Sequence, residues 1–300
     1  MSDEPLLSLP LRALETVSRP TFPMPSGAWD MHVHIFGPPE RYPHVEKPHY
    51  TLPDGTLAQY RRLMPQVGIE KFVLVQPSFY GTDNSCLLDA LVNVGDLARG
   101  VVMLEPEISD AELDRFHQCG VRAVRLDLFK RAREPRAAIR SYITETAARV
   151  GALGWHLQFY APGYVVRDLI HFFRTLQIDF VIDHMGYMLE EDGLRSEDFS
   201  ALLDLLACGH CYLKLSGAYR IAKHRSYAFV EPVAKAIVDR APDRAVWGSD
   251  WPHISYSDRD TGELVSLLER WAPSESARQK ILVENPNRLF GAAGPALRYR

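Results

Sequence analysis

The sequence predicts a single-domain α/β protein built as a (β/α)8 TIM barrel, and three observations predict it. Eight short apolar runs recur along the chain. Amphipathic stretches, often ended by Gly or Pro, separate them. Residues able to bind ligands or transfer protons gather at the C-terminal ends of the runs. Strands separated by single helices imply βαβ units and a parallel sheet, and eight such units in about 250 residues match the barrel. No Gly-rich phosphate loop follows the first run, which argues against a doubly wound dinucleotide fold.

In chain order the strand candidates are AWDMHVH (28–34), KFVLVQ (71–76), GVVML (100–104), VRAVRLD (121–127), WHLQFY (155–160), DFVIDH (179–184), CYLKLS (211–216) and RAVWGSD (244–250). Between them NSCLLDALVNVGDLA, DAELDRFHQCG, RAAIRSYITETAARVGALG and EPVAKAIVDRAP carry helical periodicity. Residues 1–24 read as an N-terminal extension, 25–291 as the barrel and 292–300 as a C-terminal tail. The stretch 37–55, rich in Pro and His, follows the first strand on the face where a barrel keeps its chemistry, and is expected to cover the pocket. There is no internal repeat, low-complexity tract or interdomain linker.

The 300 residues are 46% hydrophobic and 24% charged, the balance of a globular chain with a full core. A net charge of -4 gives no reason to expect nucleic acid as a partner. No apolar run is long enough to cross a membrane. The first residues carry acids and a proline where a signal peptide has a basic end and an apolar stretch. Four cysteines in this length fit a reduced cytoplasm. Cys208 and Cys211 form a lone CxxC around His210; without a second ligand pair nearby it reads as a helix end and a strand start rather than a zinc site.

His32 and His34 stand two positions apart on a strand, so both aim at one spot. That pattern serves metal ligation or hydrogen bonding to a ligand. The other strand ends offer Gln76, Ser78, Glu105, Arg125, Asp127, Lys130, Arg131, Gln158, Tyr160, Asp183, His184, Lys214, Ser216, Arg220, Asp250 and His253. Asp250, at the end of the last strand, has the chemistry of a base for an attacking water. Its carboxylate must then be placed well or have its pKa raised by burial. Arginine forks match carboxylates, and Arg125, flanked by apolar residues, is expected to face the barrel mouth; Arg131 lies just beyond the strand. Several cations with few anions at the mouth imply an anionic ligand.

DMHVHIFGP, VIDHMG (181–186), WGSDWPH (247–253) and VENPNRLF resemble the amidohydrolase superfamily in its lactonase-like branch. VQPSFYGTDNSCLLDAL, VRLDLFKR and GWHLQFY are similar to the 2-pyrone-4,6-dicarboxylate lactonases within it. The resemblance spans roughly residues 25 to 291 and implies hydrolysis of a cyclic ester bearing carboxylates. It implies that Asp250 activates water and that His184 polarises the lactone carbonyl, with His32 nearby. It also implies that His34, Tyr50, Ser78, Arg125, Arg131, Tyr160 and Arg220 hold the substrate. The family commonly has Arg after DHMG; here Tyr187 stands there, which puts the identity of the lactone in question.

A metal site could use His32, His34, His184 and Asp250, binding one divalent ion such as zinc. The fourth strand offers Arg125 where a further ligand is common, and a guanidinium at 4 Å opposes each unit of positive charge by about 4 kcal/mol at an effective dielectric near 20. The 2-pyrone-4,6-dicarboxylate lactonases that the chain most resembles work without metal, as the resemblance implies. The expectation is therefore a metal-free site in which His32 and His34 donate hydrogen bonds. The alternatives are a metal-dependent hydrolase or decarboxylase, a sugar-diacid lactone isomerase, and an inert binding protein on the same barrel.

Overall fold

The computed structural model describes residues 12–45, 52–190, 193–194, 196–207, 209–256 and 258–291. Its first six strands are β1 (Trp29–Val33), β2 (Lys71–Val75), β3 (Ala98–Val102), β4 (Val121–Asp127), β5 (His156–Tyr160) and β6 (Phe180–Ile182). A short antiparallel ribbon, β7 (Leu189–Glu190) with β8 (Gly193–Leu194), precedes β9 (Cys211–Leu215) and β10 (Ala245–Trp247). Eight of these form one parallel sheet in chain order, from β1 to β6 and then β9 and β10. The barrel is joined at its seam by His34 N–H donating to Trp251 O at 2.8 Å and Asp250 N–H to His32 O at 2.9 Å.

Each predicted strand is present. The third begins at Ala98 rather than Gly100. Arg99 hid the start, because its buried guanidinium folds back onto Ala98 O at 2.7 Å instead of breaking the strand. The four predicted helices appear as Ser85–Val94, Asp110–Gln118, Arg136–Gly151 and Glu231–Arg240. Several helix starts follow capping chemistry. Ser109 accepts from Glu112 N–H, and Thr56 forms a reciprocal capping box with Gln59 before the helix Leu57–Val67. Asp260 caps Thr261–Trp271 and also accepts from Ser18 N–H and Oγ, which ties residues before β1 to the barrel wall. No helix among the described residues is long and apolar enough to cross a membrane.

Two apolar layers form the core. Met31, Val75, Val101 and Val181 fill the lumen, and Phe290 from the helix Asn285–Phe290 closes its lower end. A larger layer lies between strands and helices. On β1 the pairing with β2 shifts register between Asp30 and Val33. Such a bulge re-aims side chains. Met31 packs in the lumen, Val33 joins the outer layer, and both His32 and His34 reach the upper end of the barrel.

Asp30 points outward at this bulge. It is buried and accepts from Ser249 N–H at 2.8 Å, His32 N–H at 3.1 Å and the Tyr60 hydroxyl at 2.8 Å. Burial pushes its carboxyl up to about 6 while these donors pull it down. One side chain thus joins the first strand, the last strand's exit and a helix. Asp30→Ala leaves three buried donors without their acceptor, so urea unfolding should show a loss of about 3 kcal/mol or more. A loss below about 1 kcal/mol would mean that apolar packing alone closes the barrel.

Candidate active site

Seven of the eight barrel strands deliver residues to a cleft at one end, and the densest cluster lies at the seam. His32 Nε2 and His34 Nε2 are 3.2 Å apart. Asp250 Oδ1 lies 3.6 Å from the first and 3.5 Å from the second. The last strand can approach this closely because residue 248 is glycine: a Cβ there would stand 2.7 Å from His32 Cβ. Asp250 has φ +62° and His184 φ +52°, a left-handed conformation uncommon for such residues and concentrated at functional sites.

Lys214, buried on β9, reaches inward between two strands. Its Nζ is 2.9 Å from Asp183 Oδ1 and 3.2 Å from His32 Nδ1. Asp183 also accepts from Gln158 Nε2 at 3.0 Å. Burial would raise the Asp183 carboxyl, but the Lys214 ammonium beside it holds it well below the usual carboxylate range. Burial lowers Lys214, and Asp183 opposes that. Burial, reinforced by Lys214, keeps His32 neutral by lowering it well below its ordinary value. His34 is lowered too, chiefly by burial, and His184 falls to about 4 for the same reason.

Two of these contacts bear on the tautomers. The Lys214 ammonium can only donate, so a hydrogen bond from it to His32 Nδ1 requires that nitrogen to accept and puts the ring proton on Nε2. His34 Nδ1 faces Val75 O at 2.8 Å and must donate to it, which leaves His34 Nε2 to accept from His32. With His32 in that tautomer, a chain of donors runs from Lys214 through His32 and His34 to Val75 O. His184 Nδ1 faces Ser216 Oγ at 2.8 Å, which leaves Nε2 available to a ligand. Gly217, at φ +64°, permits this packing, since a Cβ would lie 2.7 Å from His184 Nδ1.

The two oxygens of Asp250 are unequal. Oδ2 accepts from the Tyr219 hydroxyl and from Arg220 Nε, each at 2.5 Å. Oδ1 is buried and has no donor among the described residues. Burial would raise this carboxyl, but Arg220, with the neighbouring histidines, holds it well below the usual range. Of the two routes the sequence left open for Asp250, a raised pKa is not the one this environment provides. Tyr219 is in turn packed edge-on against His253, whose Nε2 faces Thr261 Oγ1 at 3.0 Å.

Next to this cluster a small cleft of about 80 Å³ is lined by His34, Ser78, Arg125, Tyr160, His184, Arg220 and Asp250, with Pro77, Ile254 and Ser255. Arg125 is buried, donates through NH1 to Gln76 O at 2.7 Å and lies over the Tyr160 ring at 4.5 Å. Its Nε meets no acceptor among the described residues. A buried guanidinium held by a carbonyl and an aromatic face keeps donors for an incoming anion. Ser78 lines the cleft while donating to Asp127 Oδ2 at 2.7 Å. Tyr187 stands edge-on to His184 and Phe129 and forms an aromatic corner with Tyr160.

Arg131 is not among the residues lining the cleft. Its guanidinium pairs with Glu134 at 2.7 Å and lies over Tyr142 at 4.0 Å. Tyr50 lies outside the described residues, as does Cys208 of the CxxC; Cys211 begins β9. Of the loop expected to cover the pocket, residues 37–45 fold onto the turn after β2, with His44 against Phe79 and Tyr80 and Arg41 and Tyr42 bonded to Asp89. Sequence reasoning noted Lys214 and Asp183 but assigned them no part, and it missed Tyr219. The signal for Lys214 was alternation: Tyr212, Lys214 and Ser216 share one face of β9, and Tyr212 is in the lumen.

A metal ion would be held by His32, His34 and Asp250, or by His32, Asp183 and His184. A tetrahedral ion at 2.0–2.1 Å separates its ligand atoms by about 3.3 Å, so the first triangle has the size of a zinc site.

The amidohydrolase family profile matches residues 29–292. The chain is 38% identical over 279 residues to the 4-sulfomuconolactone hydrolase of Hydrogenophaga intermedia, covering 90% of each protein. It is 35% identical over 285 residues to the 2-pyrone-4,6-dicarboxylate hydrolase of Comamonas testosteroni, covering 91% of this chain and 93% of that one. Among solved structures, one from Acinetobacter baumannii with citric acid bound superposes with a TM-score of 0.78 at 25% identity, over 89% of this chain and all (100%) of that one.

The inequality at Asp250 can be measured. In Arg220→Met the guanidinium no longer opposes burial, so the Asp250 titration midpoint followed by carboxyl carbon NMR should rise from its depressed position. As pH falls, the variant should protonate Asp250 before the wild type does. An unchanged midpoint would assign the depression to the histidines.

Proposed function

This chain belongs to the amidohydrolase family and is a carboxylic ester hydrolase of the lactonase kind; we propose that it opens a lactone bearing a carboxylate or sulfonate, by water that Asp250 activates without a metal. The observation that carries this reading is the free Asp250 Oδ1, buried beside neutral imidazoles in a cleft whose far wall holds the buried Arg125. The named hydrolases of a sulfonated and a dicarboxylated lactone among its relatives supply the substrate class.

In this mechanism the substrate's anionic group meets Arg125, with Ser78 and Tyr160 beside it. The ring carbonyl lies against His184, whose Nε2–H stabilises the oxyanion. A water at Asp250 Oδ1 attacks the carbonyl carbon and gives its proton to that oxygen. Arg220 and Tyr219 hold Oδ2 and so fix the direction of Oδ1. The tetrahedral intermediate collapses, the ring C–O bond breaks, and the leaving oxygen takes the proton back from Asp250. One lactone and one water yield the ring-opened acid. A carboxylate this acidic is a weak base, so the rate depends on its placement and on exclusion of bulk water.

A metal-dependent hydrolase is the second reading, favoured by the size of the His32–His34–Asp250 triangle. Prolonged chelation separates the two. The wild type should keep its rate, and in the same buffer Asp250→Asn should lower kcat by about 100-fold or more while leaving ligand affinity nearly intact. Activity lost on chelation and restored by zinc, or a tenth of the rate surviving in Asp250→Asn, would contradict the reading.

Charge recognition has its own test. A charge-assisted hydrogen bond contributes about 1.5–3 kcal/mol, so Arg125→Met should lower kcat/KM for the acid roughly ten- to a hundred-fold. The neutral ester of the same ring should lose far less. Equal losses on both would mean that Arg125 supports the fold and does not read the substrate's charge.

A further inference from the structure

The barrel carries a buried cation for which the reaction above has no direct use. Lys214 does not line the cleft. It lies behind His32, with Asp183 at 2.9 Å and His32 Nδ1 at 3.2 Å, and it is almost wholly enclosed. A buried ammonium is costly unless paired, and here its partners are one carboxylate and one catalytic imidazole. We propose that Lys214 is the positioning residue that fixes the tautomer of His32 and so closes the His32–His34–Asp250 triangle to divalent cations.

Donors and acceptors around His32 decide which nitrogen carries its proton. Metal-ligating histidines usually donate their second ring N–H to a carboxylate, which turns the lone pair of the other nitrogen toward the ion. His32 has such a carboxylate within reach: Asp183 Oδ1 is 3.5 Å from its Nδ1. Without Lys214, Nδ1–H would donate to Asp183 and Nε2 would turn a lone pair into the triangle, completing a three-atom site of zinc dimensions. Lys214 takes the carboxylate for itself at the shorter distance and offers His32 a donor. The ring must then accept at Nδ1 and carry its proton on Nε2. That proton points at His34 Nε2 and fills the space an ion needs. Asp250 Oδ1 is left to a water.

The exclusion is therefore by hydrogen-bond polarity, written into one residue of β9. Lysine is suited to it because its ammonium donates and never accepts. A glutamine of similar length could instead accept from Nδ1–H through its amide oxygen while donating to Asp183.

The inference rests on the metal-independent reading of the site, but its readouts do not use turnover. Failure to hydrolyse lactones would leave it standing, and its own failure would leave the substrate class standing. Long-range 15N–1H spectra of the wild type labelled at histidine should place the His32 proton on Nε2. In Lys214→Gln, and in Lys214→Met as a second variant, the proton should move to Nδ1. Zinc affinity by calorimetry should rise about 10- to 100-fold, the scale of outer-shell effects on metal sites, and the gain should vanish when His34→Ala is added. Thermal melts monitor folding, and the wild-type spectrum alone decides the tautomer if both variants misfold. A wild-type proton on Nδ1, equal zinc affinity in wild type and variants, or a gain that survives His34→Ala would each overturn the proposal.

Discussion

The first and last strands of the barrel must meet, and the site exists because they meet so closely. β10 ends at Trp247, and the chain then passes over β1 with only Gly248 between the two backbones at the point of nearest approach. Asp30 grips both partners of this seam, and the backbone bonds from His34 to Trp251 and from Asp250 to His32 continue it. The same few residues that close the fold therefore carry His32, His34 and Asp250. Chemistry and closure share one stretch of backbone, and left-handed conformations at Asp250 and His184 persist because the surroundings over-determine them.

Within that frame the electrostatics sort into pairs. A lone buried ion costs several kcal/mol even after relaxation, and the site avoids this by matching Lys214 with Asp183 and Arg220 with Asp250. The imidazoles between the pairs stay neutral, mainly through burial. Arg125 is the exception, a buried cation resting on a carbonyl and an aromatic ring. An anionic ligand completes the balance. The proposed anionic substrate would meet this cation, while the neighbouring Lys214 and Arg220 already have carboxylate partners.

Much of this was legible in the sequence, and the limits have physical causes. Eight apolar runs with helical stretches between them specify the barrel, because parallel strands buried on both faces read as continuous apolar segments. The convergence of His32 and His34 followed from their spacing, although the register shift that delivers both to the upper end of the barrel has no local signature. Asp250 was visible as the acid at the last strand's end. Its depressed pKa was not, because that depends on Arg220 and Tyr219 from the short helix Ala218–Ala222. Arg131 read as a rim cation; Glu134, three residues on, takes its guanidinium. Lys214 was seen at a strand end, but its bond to a histidine 182 positions away is a property of closure alone.

The positions of one proton and one water decide how this site works. Neutron diffraction from crystals grown without chelator, in deuterated solvent, reads both at once. It should show a deuteron on His32 Nε2 directed at His34, an unprotonated His32 Nδ1 facing Lys214, and a water bound to Asp250 Oδ1. An ion coordinated by His32, His34 and Asp250, with the deuteron on His32 Nδ1, would contradict the account.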